Sequence, residues 1–166
     1  MPATREDLFA RLAALGIATT THEHPPVFTV EEARRYCGEL PGGHCKSLLL
    51  RTKKRALCLV VTLDERRVDL KALAKALGAG RLSFTSADLL AEVLGVTPGS
   101  VTPFALINDR DHRVRVVLDA AMLTRAPLNY HPLENDATTA IAPADLLRFI
   151  AECGHEPLIL DLGALA

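Results

Sequence analysis

The sequence predicts a mixed α/β (α+β) fold, a largely antiparallel central sheet surrounded by helices. Three observations predict it. Short apolar runs at Lys46–Arg51, Ala56–Leu63, Val114–Leu118 and Pro157–Leu162 have the length of strands. Between them lie segments with leucines at helical spacing, and the two kinds mix without a regular βαβ rhythm. The chain has 166 residues and 49% apolar content, which suits one domain, residues 1–166, with a real hydrophobic core.

Thr4-Arg5-Glu6-Asp7 reads as a capped helix start, and Leu8, Leu12 and Leu15 follow at helical spacing until Gly16. Ala18–Glu23 is Thr-rich and β-prone, and Pro25-Pro26 then force an extended path. Thr29-Val30-Glu31-Glu32 repeats the capping pattern and starts a short helix through about Tyr36. After Pro41-Gly42-Gly43, the runs Lys46–Arg51 and Ala56–Leu63 flank a short basic turn, the pattern of an antiparallel hairpin. A third helix carries Leu70, Leu73, Ala74 and Leu77 and closes at Gly78. A fourth begins at the capping pattern Thr85-Ser86-Ala87-Asp88 and ends at Gly95. The loop Val96–Pro103 is expected to lead into a strand at Phe104–Ile107 that pairs with Val114–Leu118. Leu128–Leu133 reads as an edge strand because Pro132 cannot donate to a ladder, with Thr138–Ile141 beside it. Pro143 opens the last helix, which Gly154 terminates, and Pro157–Leu162 is a final strand.

A net charge of −1 gives no global pull toward nucleic acid and counts against binding to long duplexes. Local basic clusters stand at Arg51–Arg55, Arg66-Arg67 and Arg110–Arg115, and solvated turns account for each of them taken singly. No apolar run approaches the roughly 18 residues of a membrane span, and the N-terminus lacks the pattern of a signal peptide. A cytoplasmic protein with no membrane association is expected. Its four cysteines, without a CxxC pair, are expected to be reduced thiols.

There is no P-loop, dinucleotide fingerprint or HExxH motif. His22, His24, Cys37, His44 and Cys45 match no common zinc spacing, so no metal or cofactor is expected. A Cys45 nucleophile could not readily be served by His44, since adjacent strand residues point to opposite faces. His131 could serve it, but nothing in the sequence demands this, and a partly buried structural thiol is the simpler reading of Cys45. Lys46 shares a strand face with Leu48 and Leu50, an unusual place for an ammonium group. Two readings of it stand: a lysine whose stem covers apolar surface while its head reaches water, or a functional cation. The Gly99-Ser100-Val101-Thr102-Pro103 loop likewise reads either as a connector or as a cradle of backbone N–H groups.

Four ordered blocks bring these residues together: His24–Thr29, Cys45–Leu50, Gly99–Phe104, and Asn129–Leu133 continued through Asn135 and Ala137–Ile141. Over nearly the whole chain they resemble the YbaK/ProX family, which includes the editing insertion domain of bacterial prolyl-tRNA synthetases and its freestanding relatives. The resemblance is strongest to the freestanding Ala-tRNA(Pro) deacylases (ProXp-ala, PrdX). It implies a YbaK/ProX-like fold and hydrolysis of mischarged Ala-tRNA(Pro) by water. Alternatives are a deacylase for another misacylated tRNA such as Cys-tRNA(Pro), and a non-catalytic module for tRNA ends or proteins.

The resemblance further implies catalytic roles for Lys46, Gly99 and Ser100, with the Gly99 loop holding the aminoacyl ester. Phe28, Thr29, Val101, Thr102, Pro103 and His131 would bind substrate, with His131 lining the amino-acid pocket and Phe28 and Thr29 helping to shape it. Ser47 departs from the Asn expected there in many relatives. A lysine is protonated at neutral pH, so Lys46 is expected to act as a fixed charge. No side chain in these blocks is an obvious general base. The expected partner is the acceptor end of mischarged tRNA(Pro), touched by Arg51, Lys53, Lys54 and Arg55, with transient association with prolyl-tRNA synthetase.

Overall fold

The structure, a computed structural model, describes residues 1–165. Its first helix, α1 (Arg5–Ala14), begins at the capping box the sequence predicts. The Thr4 hydroxyl accepts from Asp7 N–H, and the Asp7 carboxylate accepts from Thr4 N–H in return. Strand β1 (Thr19–Glu23) and helix α2 (Val30–Cys37, capped by Thr29) follow. The hairpin of β2 (Gly43–Thr52) and β3 (Leu57–Leu63) forms as expected, with Lys46 opposite Thr62. Helices α3 (Leu70–Leu77) and α4 (Ala87–Leu94) stop at Gly78 and Gly95, whose φ angles of +67° and +66° are the left-handed values that glycine tolerates best. The cap of α4 is Ser86, one residue later than the sequence pattern suggests.

Beyond these lie β4 (Leu82–Phe84), β5 (Val114–Asp119), β6 (Leu128–Tyr130), β7 (Ala137–Ile141), α5 (Pro143–Glu152) and β8 (Leu158–Leu160). The eight strands form one mixed sheet in the order β1-β7-β6-β2-β3-β5-β8, with β4 paired to the end of β2. Pairings β1–β7, β6–β7, β2–β3 and β2–β4 are antiparallel; β2–β6, β3–β5 and β5–β8 are parallel.

Two expectations fail. Phe104–Ile107 is not a strand but part of a 3-10 helix (Pro103–Asn108). Pro103 sets the helical φ at its first turn, and the Thr102 hydroxyl accepts from Phe104 N–H. Strand β6 is not at an edge. It ends at Tyr130, before Pro132, so the proline costs the ladder nothing and β6 pairs on both sides.

Every residue of β3 is buried, because helices cover both faces of the sheet. Leu57, Leu59, Val61 and Leu63 pack into the larger core with α1, α4 and α5, while Cys58 and Val60 join the smaller core under α3. Full burial of each such side chain contributes roughly 1.5–3 kcal/mol, so β3 is the stable rail against which β2 is held in register. One buried charge sits on this frame. Asp119 accepts from the Thr62 hydroxyl (2.6 Å), from Arg66 Nε (2.6 Å) and from the N–H groups of Ala121 and Leu162 (3.2 and 3.4 Å).

Candidate active site

The candidate site grows out of how β2 begins. Gly42 has φ +96° and lies so close to Pro127 that any Cβ would strike the Pro127 carbonyl. Gly43 N–H donates to that same carbonyl (2.8 Å), and Asn129 Nδ2 bridges the carbonyls of Pro41 and Gly43, each at 3.0 Å. These contacts fix the first residues of β2 against β6.

Past His44, β2 loses its neighbour on that side. Strand β6 pairs only with Gly43 and His44, and β4 only with Leu50–Thr52. The edge from Cys45 to Leu49 therefore has no strand partner among the described residues. The even-numbered positions face β3: His44 accepts from Asp64 N–H, and Thr52 N–H donates to Ala56. The backbone groups of Cys45, Ser47 and Leu49 must then face the gap. The Thr85 hydroxyl on the Leu49 carbonyl (3.3 Å) agrees with this.

A cleft of about 200 Å³ opens at this gap. One wall is Cys45, Lys46 and Ser47; α2 forms another through Val30, Ala33, Arg34 and Cys37. Val27–Thr29, Gly99, Val101, Asn129–His131 and Thr138 close it. The segment before α2 is tied down from outside. Val27 N–H donates to Asn135 O (3.1 Å), Asn135 Nδ2 to Val27 O (2.7 Å), and His24 N–H to Asp136 O (3.0 Å). Arg5 anchors that loop in turn, pairing with Asp136 and with Glu134 (2.9 Å).

Lys46 is half-buried on the cleft wall with no carboxylate in ion-pair contact among the described residues. Partial burial lowers its pKa and the field of Asp64 opposes the drop. Ser47 Oγ is buried and has no hydrogen-bond partner among the described residues. Cys45 also lines the cleft although it packs against the main core, because the cleft sits at the strand's edge and touches both faces. Burial pushes the Cys45 thiol up to about 12, so it carries no thiolate at neutral pH and is a poor nucleophile.

His131 has a defined tautomer. Its Nδ1 lies 2.9 Å from the Ala137 carbonyl, an acceptor only, so Nδ1 carries the proton. Burial lowers its pKa below the ordinary 6.5, with the Ala137 contact raising it, His24 lowering it and Asp136 raising it by smaller amounts. At neutral pH the ring is uncharged and Nε2 offers a lone pair.

The Gly99 loop divides. Gly99 (φ +91°) and Val101 line the cleft, and their N–H groups make no backbone hydrogen bond among the described residues. Ser100 points elsewhere: its side chain is buried outside the cleft lining and its N–H is engaged by Thr97 O (3.0 Å). Thr102 and Pro103 are buried in the start of the 3-10 helix, also outside the lining. Phe28 and Thr29 stand at the rim, Thr29 engaged in capping α2. Arg51, Lys53, Lys54 and Arg55 are exposed at the other end of β2, about 16 Å along the strand from Lys46. The pairing of Thr52 with Leu82 sets Arg81 beside them.

Among the residues weighed as metal ligands, His44 Nε2 bonds the Leu40 carbonyl (3.0 Å), while His24 Nε2 and Cys37 Sγ both approach the Thr138 hydroxyl (2.9 and 3.5 Å). No three of the described His, Cys, Asp or Glu side chains are grouped to hold a metal ion. Sequence reasoning missed Val27, Asp64 and Thr138 as neighbours of the site. The pairing of β2 with β3 brings Asp64 there, the pairing of β6 with β7 brings Thr138, and the bonds between Val27 and Asn135 bring Val27.

A family model for the aminoacyl-tRNA editing domain matches residues 24–149. The chain belongs to that family. It is 43% identical over 162 residues to the prolyl-tRNA synthetase associated domain-containing protein 1 of Bos taurus, covering 95% of this chain and 94% of that one. It is 36% identical over 159 residues to the prolyl-tRNA editing protein ProX of Acetoanaerobium sticklandii, covering 95% and 97%. The crystal structure of the hypothetical protein APE2540 superposes with a TM-score of 0.75 over 93% of this chain and 97% of that one, at 19% identity. That likeness establishes the fold. The editing-domain family carries aminoacyl-tRNA as its substrate class and implies deacylase activity. No helix among the described residues is long and apolar enough to cross a membrane.

Proposed function

We propose that this protein hydrolyses the ester of mischarged Ala-tRNA(Pro). The observation that carries the reading is the single cleft on which Lys46, Gly99, Val101 and His131 converge. With the ester carbonyl against the Gly99–Val101 backbone, the two N–H groups donate to its oxygen as negative charge develops there. The Lys46 ammonium adds a fixed positive charge for that oxyanion or for the terminal phosphate. Water attacks the carbonyl carbon, His131 Nε2 accepts its proton, and the ribose oxygen leaves with a proton from water or the imidazolium. Ser100, Thr102 and Pro103 then shape the loop without touching substrate.

The size of the cleft supports a small amino acid. A synthetase site that accepts proline cannot exclude alanine sterically, and one missing methylene is worth only about 1–3 kcal/mol. A second, smaller site walled by Val27, Cys37, Tyr130 and Thr138 supplies what the first cannot. The basic end of β2 (Arg51, Lys53, Lys54, Arg55) is placed to meet acceptor-stem phosphates, which fits a cytoplasmic protein working on tRNA released by prolyl-tRNA synthetase. A deacylation panel with Ala-, Cys-, Ser- and Pro-charged tRNA(Pro) tests the reading. Turnover is expected on the alanyl ester and not on the prolyl one; preference for the cysteinyl ester overturns the substrate assignment.

A further inference from the structure

Phe28 is 69% exposed, more than any other phenylalanine or tyrosine among the described residues, and it stands on the rim of the cleft. Its position is held from several sides. The preceding residue is locked to Asn135 by the reciprocal bonds of Val27, and Phe28 N–H donates to Glu32 Oε1 (3.3 Å). The ring lies beside the Gly99 turn, its Cδ1 3.5 Å from where a Cβ on Gly99 would sit. Single exposed apolar side chains are common on protein surfaces, and Phe84 is 63% exposed as well; what sets Phe28 apart is that its ring borders the cleft beside Gly99. The family resemblance assigns Phe28 to the amino-acid pocket. Its exposure argues otherwise, because a residue as small as alanine, seated inside the cleft, leaves the outward ring bare.

Resting on the function proposed above, we propose that Phe28 is the stacking platform for the terminal nucleobase of the aminoacyl-tRNA. The covalent structure of the substrate selects the occupant. The ester and the base are attached to the same ribose, so an ester held at Gly99 brings the base within one sugar of that loop. The ring beside Gly99 is the flat apolar surface found there. A phenyl ring has no donor or acceptor with which to read base edges, so the contact is stacking, tolerant of which base is present. Arg34 on the same cleft offers a positive charge to the adjoining phosphate. Phe28 then contributes affinity for the RNA end and none of the amino-acid selectivity.

Two measurements on the full chain test this. An acceptor-stem RNA hairpin with 2-aminopurine as its terminal base should lose fluorescence on binding the wild-type protein and Phe28→Trp, but not Phe28→Leu. In steady-state deacylation, Phe28→Leu should raise KM by about 5- to 150-fold, the range for one lost base–aromatic stack, with kcat nearly unchanged. The ratio of alanyl to cysteinyl turnover should not move, and Phe28→Tyr should restore KM. Undiminished quenching with Phe28→Leu overturns the proposal, as does a changed amino-acid ratio at constant KM. A wild-type protein that deacylates nothing removes the enzymatic reading and this one with it. A wild-type enzyme indifferent to Phe28→Leu removes this one alone.

Discussion

One row of side chains crosses the sheet from Lys46 through Thr62 to Asp119, and its two ends obey opposite rules. At the Asp119 end the carboxylate is fully buried and every lone pair is answered, by a hydroxyl, a guanidinium and two backbone N–H groups. At the Lys46 end, among the described residues, the half-buried ammonium has no ion-pair partner and the hydroxyl of the next residue, Ser47, is buried with no hydrogen-bond partner. A buried polar group without a partner costs about 1–3 kcal/mol, which folding alone gives no reason to retain. The satisfied end is architecture. The unsatisfied end is where the proposed function seats its substrate.

This contrast is sharpest where the expected effects are largest. Asp119→Ala leaves Thr62, Arg66 and two N–H groups unpaired, and should lower stability by about 3–5 kcal/mol in urea unfolding. A wild-type midpoint would erase the distinction. Lys46→Ala should leave stability within about 1 kcal/mol while reducing deacylation about 10²- to 10³-fold. If the two variants unfold alike, the row has one character and not two.

His131 offers a pH test. Its pKa is lowered from 6.5, chiefly by burial, so the unfolded chain takes up the proton first as pH falls. The stability it contributes is complete above 6.5 and is lost as pH falls through the lower folded value. The acidic limb of kcat/KM should accordingly inflect below 6.5, and an inflection at or above that value counts against the neutral imidazole as base. The smallest effect belongs to Ser47→Ala, which removes a hydroxyl that bonds nothing and should be neutral or stabilising by up to about 1 kcal/mol. A loss of 2 kcal/mol or more by this change would mean that the hydroxyl has a partner in the folded state.

Local chemistry made much of the fold legible. The Thr4 capping box, the left-handed glycines at 78 and 95 and the hairpin around Arg51–Arg55 are each decided within a few residues, and each formed as read. Phe104–Ile107 failed because four apolar residues carry too little periodicity to separate strand from helix, and Pro103 tips such a run toward helix. Strand β6 failed because Pro132 lies beyond the strand's end. In the site, Lys46, Gly99, Val101 and His131 were legible through family resemblance, and the cleft joins all four. Ser100, Thr102 and Pro103 share that motif but turn inward, a matter of loop geometry that no spacing rule reports. Val27 and Thr138 arrive through long-range pairings, which one sequence does not display.

The bare stretch of β2 from Cys45 to Leu49 has a meaning for how copies of this molecule behave together. An unpaired strand edge is a template onto which another chain can add a strand, the first step toward polymer. Here the bare stretch is short, with β6 closing one end, β4 the other and α2 bordering the cleft between. A foreign strand needs length to gain from a ladder, and this slot denies it that length. The crowding that keeps the slot small thus guards the molecule against self-assembly and limits what enters the cleft, so widening it for a larger substrate would also expose the edge.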